Sequence, residues 1–256
     1  MFNTGNPWKD RVQASGVHFL LSVLVAALAA ALVFGLWYPY PYRDISGGRE
    51  LFFLVAAVDV VMGPLLTFAV FNRQKPLKEL RRDLGVIALL QLAALAYGMW
   101  TVFVARPVHM VFEIDRFRVV HAIDVDTALL PKAPPALSSL PLTGPSTLGI
   151  REFKNNTEKA DFTFAALGGV DLSARPELWQ DYVLSAPQVL AAAKPATELK
   201  TRFAARAALI DDAVRASGRD VAALRYLPLV SRRSFWTVLI DAQSAQPLAY
   251  LPLDSF

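Results

Sequence analysis

The chain has 256 residues, of which 54% are hydrophobic and only 19% charged, with a mean hydropathy of +0.36. Soluble globular proteins sit nearer a quarter charged, so a wholly soluble chain is excluded, and the absence of cysteine excludes disulfides and thiol chemistry. Of the net charge of +4, about three units fall in the first 104 residues (nine Lys and Arg against six Asp and Glu), which points to a membrane-flanking role for the basic residues rather than a nucleic-acid surface.

Three apolar runs of 21 or 22 residues come first: Val17 to Tyr38, Leu51 to Phe71 and Leu84 to Val104. Each has the length a helix needs to cross the hydrocarbon core. The first run is too long for a signal-peptide apolar region and ends in "LWYPYPY" rather than small residues. It therefore reads as a retained span, with Trp37, Tyr38, Tyr40 and Tyr42 as an interfacial aromatic belt. Lys9 and Arg11 precede the first span, and Arg73, Lys75, Lys78, Arg81 and Arg82 join the second to the third. Only Arg43 and Arg49, beside Asp44 and Glu50, lie between the first and second. The positive-inside rule places residues 1–16 and the second loop in the cytoplasm, and three crossings put residues 105–256 on the far side. The expected fold class is a membrane α-helical bundle of three transmembrane helices (17–38, 51–71 and 84–104) carrying a small α+β extracytoplasmic domain over 105–256.

In that domain, Val108, Met110, Phe112 and Ile114 alternate on one strand face. A hairpin turning at Asp115-Arg116 would set residue 110 opposite 121 and Glu113 opposite Arg118 as an ion pair. The proline-rich stretch from Pro131 to Pro145 reads as a stiff loop or surface linker, and "TLGIREF" as a strand. "NTEKADFTFAALGG" reads as a short helix capped by Asn156 or Thr157. One long helix is expected over "PATELKTRFAARAALIDDAVRASG", with Leu199, Phe203, Ala207, Ile210 and Val214 on one face and Gly218 as its stop. The C-terminal tail reads as three strands, with Phe235 to Ile240 an inner one and Pro252 marking an edge.

Motifs for chemistry are sparse. His109 and His121 point to opposite sides of the hairpin, or lie about 40 Å apart on a single strand, so neither geometry makes a metal pair. His18 sits near the cytoplasmic end of the first span. No serine occupies a nucleophile elbow, "LGG" at 167–169 is short of a phosphate loop, and "DVD" at 124–126 lacks the rest of a calcium loop. Arg232 and Arg233, near Phe235 and Trp236, read as a solvated turn or a partner contact. No enzyme and no cofactor are expected.

The second span holds the one group that invites function. An ionisable side chain near mid-membrane costs roughly 2.5–3.5 kcal/mol on insertion scales, yet Asp59 lies close to the centre, followed by Gly63, Pro64 and Thr67. Asp59, Gly63 and Thr67 form one stripe at i, i+4 and i+8, the kind that faces other helices rather than lipid. Pro64 would free the Val60 carbonyl. A matching stripe on the third span runs through Gln91, Ala94, Gly98 and Thr101. With spans centred at Val61 and Ala94, Gln91 lies roughly 7–8 Å from Asp59 in depth, so an Asp59–Tyr97 hydrogen bond is expected. Asp59 then either fastens the bundle or faces a partner helix.

The segments "WYPYPY" (37–42), "DVVMGPLLT" (59–67), "DLGVIALLQLAALAYG" (83–98), "ARPVHMVFEIDRFRVV" (105–120) and "RYLPLVSRR" (225–233) resemble the TfpX/TfpZ family of type IV pilin accessory proteins. The resemblance implies a bacterial inner-membrane protein whose exported domain is periplasmic and whose partner is a type IV pilin, met through its transmembrane helix and its globular domain. It implies a chaperone-like role in pilin stability or pilus assembly and carries no catalytic residues. The alternative is a membrane-bound sensor or regulator with a periplasmic ligand-binding domain, which would need a separate signalling partner.

Overall fold

The computed structural model describes residues 7–256; the first six residues of the expected cytoplasmic segment lie outside the described residues. The chain divides into two compact units. One comprises residues up to Pro39 together with Gly48–Val104, the other Tyr40–Gly47 together with Ala105–Phe256.

The first unit consists of three helices long and apolar enough to cross a membrane: α1 (Pro7–Trp37), α2 (Gly48–Val70) and α3 (Leu77–Val104). All three exceed the hydropathy windows read from the sequence, because polar and charged residues at the ends continue the helical hydrogen bonding. α1 starts ten residues before Val17, and α2 three before Leu51. α2 is central. Near one end of the bundle the three helices close around Val33, Tyr38, Phe52 and Val102, all buried. There the Tyr38 hydroxyl donates to the Val102 carbonyl (3.1 Å) and Trp37 meets Phe103 edge-on (5.1 Å between centroids). Gly98 permits the close approach of α3 to α2, since a Cβ there would overlap the Val55 methyls. Gly98→Leu is expected to cost about 1–3 kcal/mol through overpacking, read as a lower thermal midpoint in detergent. An unchanged midpoint would mean the two helices do not meet there.

The second unit is built on one mixed eight-stranded sheet. Its strands are β1 (Pro107–Glu113), β2 (Arg116–His121), β3 (Ser146–Ile150), β4 (Trp179–Asp181), β5 (Lys194–Pro195), β6 (Leu224–Val230), β7 (Phe235–Asp241) and β8 (Pro247–Leu251). The order is β4-β3-β1-β2-β6-β7-β8, with β5 also pairing β6. β1 runs parallel to β3 and β2 to β6; the other pairs are antiparallel. β7 is an inner strand and β8 an edge, as its apolar faces and Pro252 suggested.

The hairpin turns at Ile114-Asp115, not at Asp115-Arg116, and Met110 pairs with Val119. That is a register two residues from the expected one. A shift of two preserves the faces, so the Glu113–Arg118 ion pair still forms (2.7 Å). An irregularity between Pro107 and His109 sends Val108 to the opposite side from Met110 and Phe112, and Ile114 sits exposed in the turn.

The helices of this unit are α4 (Asn156–Leu167), α5 (Tyr182–Ala192), α6 (Thr197–Arg202) and α7 (Ala207–Ser217). α4 is capped by Asn155, whose side chain accepts from the Glu158 N–H, one residue before the expected cap. α5 has no counterpart among the elements expected from the sequence, and it holds Pro187 within it. The single helix expected over 197–217 is two helices. In one straight helix Leu199 and Ile210 would lie about 16 Å apart; the break at Phe203 lets both bury fully in one cluster. The proline-rich stretch is no surface linker. Its 3-10 turns bring Leu130, Ala133, Leu137 and Leu140 against the cluster of Val111, Val120, Leu148 and Trp179.

Arg232 pairs with Asp124, and the Arg233 side chain lies against Gly47. Asp124 accepts from the His121 N–H (3.1 Å) and Asp126 from the Ala128 N–H (2.9 Å). The "DVD" carboxylates thus cap backbone, and the arginine pair is engaged within the unit.

Candidate functional site

The site is the polar floor of the three-helix unit, and it begins with a fault in α2. Residues Val58–Met62 form a π turn, in which N–H groups reach back five residues rather than four. In that register Pro64 stands opposite the Asp59 carbonyl and has no N–H to offer it. The Asp59 carbonyl instead accepts from the Gln91 carboxamide of α3 (3.1 Å). Pro64 does open the ladder here, but the carbonyl that finds a new donor is that of Asp59 rather than Val60.

The expected Asp59–Tyr97 contact does not form. Tyr97 is 74% exposed. The depth estimate failed because both helices begin before their apolar runs: α2 (Gly48–Val70) is centred at Asp59 and α3 (Leu77–Val104) between Leu90 and Gln91, which brings Gln91 level with Asp59. Rotation also excludes it: at 3.6 residues per turn Tyr97 lies about 120° round the helix from Gln91. The inward face of α3 is Ile87, Gln91, Leu95, Gly98 and Val102, while Ala94 of the expected stripe is exposed.

Asp59, Gly63, Pro64 and Thr67 are all buried on one face of α2. A Cβ at Gly63 would overlap the Gln91 carboxamide, so this glycine is what lets Gln91 reach across. Sequence reasoning missed the third wall. Ser15, His18 and Ser22 of α1 fall at i, i+3 and i+7, a polar stripe that could have been read beside Asp59. The Ser15 hydroxyl donates to the Pro64 carbonyl (2.9 Å) and His18 Nδ1 bonds the Thr67 hydroxyl (2.5 Å). At the Val70 end of α2, Arg11 Nε donates to the Phe71 carbonyl (3.0 Å), Lys75 to the Val70 carbonyl (3.3 Å), and Arg73 pairs with Asp10 (3.3 Å). Cations there complement the helix dipole.

Away from the Tyr38–Val102 closure, α1 and α3 stand apart, with α2 as floor. Two adjoining cavities fill the gap, of about 540 and 340 Å³. Both are lined by His18, Leu21 and Ala88; the first continues to Thr67, Phe71 and Arg73, the second to Ser22, Asp59, Gln91 and Leu95. The result is a lateral groove with aliphatic walls and a polar floor. Among the described residues no group of His, Asp and Glu side chains could hold a metal ion.

Residues 6–47 match the family model of fimbrial assembly protein FimB. The fimbrial assembly protein of serogroup I from Dichelobacter nodosus is 41% identical over 229 residues, 89% of each chain, and that of serogroup E1 is 39% identical over the same share. The protein of serogroups C1 and C2 is 50% identical over 119 residues, covering 46% of this chain and 91% of that one. No solved structure matches. With two relatives near 40% identity along nearly their whole length, and with the resemblance to pilin accessory proteins pointing the same way, this chain belongs to the fimbrial assembly protein family.

Proposed function

We propose that the chain is a non-catalytic accessory factor of the bacterial inner membrane that holds a type IV pilin during pilus assembly, with its groove receiving the pilin transmembrane helix. The observation that carries this reading is the lateral groove itself: aliphatic side chains such as Leu21 and Leu92 form its walls, and Asp59 and Gln91 its floor. An apolar guest helix leaving the bilayer loses no hydrophobic driving force there and gains packing and hydrogen bonds. The N-terminus is assigned to the cytoplasm and residues 105–256 to the periplasm. The basic residues flanking the spans support that orientation, and the membership of residues 40–47 in the same compact unit as 105–256 supports two crossings between them, whichever side they face.

The test is photocrosslinking from Leu21 and Leu92, with the outward-facing Tyr97 as control, in cells with and without the major pilin. Pilin adducts are expected from the first two positions and not from Tyr97. Ala88→Trp, which fills the groove from α3, is expected to cut adduct yield and surface pili more than about tenfold, the equivalent of 1.4 kcal/mol of lost contact. Adducts from Tyr97 alone, or full piliation with the groove filled, would refute the reading.

A further inference from the structure

The groove floor holds a carboxyl that the chain leaves unused. Asp59 is 8% exposed, and its Oδ1 meets no hydrogen-bond donor. Two nearby donors are committed elsewhere: the Gln91 carboxamide serves the Asp59 backbone carbonyl rather than the carboxyl, and His18 Nδ1 is taken by Thr67. A side chain whose task was to fasten the bundle would be bonded within it, because an unmade hydrogen bond at a buried site costs free energy without return. Asp59 instead lines the 340 Å³ cavity between α1 and α3.

We propose that Asp59 is the specificity-determining residue of the groove, selecting a guest transmembrane helix that carries a hydrogen-bond donor, a hydroxyl or a carboxamide, at the middle of its span. The inference rests on reading the groove as a guest-helix site. The division of labour follows from chemistry. Leu21, Val25, Leu92 and Leu95 pack against any apolar helix, whereas one carboxyl oxygen in a low-dielectric site distinguishes a helix that can donate to it from one that cannot. Single interhelical hydrogen bonds in membranes are small, so the discrimination is about three- to twentyfold.

The absence of native cysteine makes the test direct. The full chain, labelled at Gln74→Cys and held in phosphatidylethanolamine–phosphatidylglycerol vesicles, is titrated with two synthetic 22-residue Leu/Ala helices that differ only in a central Asn or Leu. Energy transfer reports association. The Asn helix is expected to bind about three- to twentyfold tighter. Asp59→Leu should abolish the preference without weakening the Leu helix, and Asp59→Asn should retain it. Equal binding of both helices to the unaltered chain overturns the role of Asp59 but leaves the groove reading intact. Binding of neither helix above the level of the Ala88→Trp chain overturns the groove reading itself and assigns the cavity to lipid. The comparison of the two guests needs no variant, so a poorly folding Asp59→Leu chain does not spoil it.

Discussion

Ile45→Ala is expected to destabilise the C-terminal unit by about 2–5 kcal/mol, although Ile45 lies in the short segment between the first two helices. Its side chain is fully buried in the cluster of Met110, Phe112, Phe117, Leu227, Leu229 and Val238. Three neighbouring contacts fix the segment. The Tyr42 hydroxyl lies 3.6 Å from Met110 Sδ, Ser46 and Ser231 share a hydrogen bond (3.3 Å), and Gly47, at φ 73°, takes a left-handed turn beneath the Arg233 side chain. Truncation to Ala removes three carbons from a site that cannot collapse around the gap. Pulse proteolysis of the C-terminal unit in native membranes measures the loss. A corollary is that residues 105–256 produced alone are less stable than the same fragment joined to residues 40–47. Equal stability in either comparison would mean that the segment only rests on the sheet.

Acidification supplies the second large effect. His109 is 1% exposed, its Nδ1 lies 2.8 Å from the Ser146 hydroxyl, and its ring packs edge-on to Trp179. Burial pulls its pKa from 6.5 down to about 4. The unfolded chain therefore takes up a proton near pH 6.5, while the folded unit refuses it until about pH 4. Between those values the unfolded state binds more protons, so stability falls as pH drops through the window and is independent of this group above it. The full loss is about 3 kcal/mol. His109→Phe should flatten the dependence between pH 6.5 and 4, measured as denaturant midpoints of the C-terminal unit. A slope that survives the substitution would place its origin elsewhere. Asp124 acts in a separate window. Burial pushes its carboxyl up, but hydrogen bonds from His121 and Arg232 outweigh that and hold it at about 2. Its contribution is present above the ordinary carboxylate range and is lost only as pH falls toward 2.

The legible and illegible parts of the molecule divide by the range of the forces involved. Hydropathy over some 20 residues is a local property, and it located all three long helices with errors only at their ends. Alternation is equally local, and it found β1 and β2, while a run apolar on both faces marked β7 as an inner strand. The hairpin register came out two residues off, because a turn at Ile114-Asp115 carries no Asn-Gly or Asp-Gly signal. α5 has no counterpart among the expected elements, while in space its helix is held by the sheet through Tyr182 and Val189. In the groove, the Asp59, Gly63 and Thr67 stripe followed from helical period alone. Its neighbours did not, since they depend on the rotation and axial offset of separate helices.

The order of amino acids determined by itself that this protein has three bilayer-length helices, a sheet-bearing C-terminal region and one costly carboxyl near the middle of the second helix, because period, hydropathy and charge are written along the chain. Only the tertiary structure decided that Gln91 rather than Tyr97 serves Asp59, that Ser15 and His18 bond α2 across one wall of the groove, and that Tyr42 and Ile45 complete a core formed some 60 residues later. The physical reason is that burial and hydrogen-bond partnership are properties of surfaces brought together, and a gap of a few residues in helix offset or a third of a turn of rotation exchanges one partner for another.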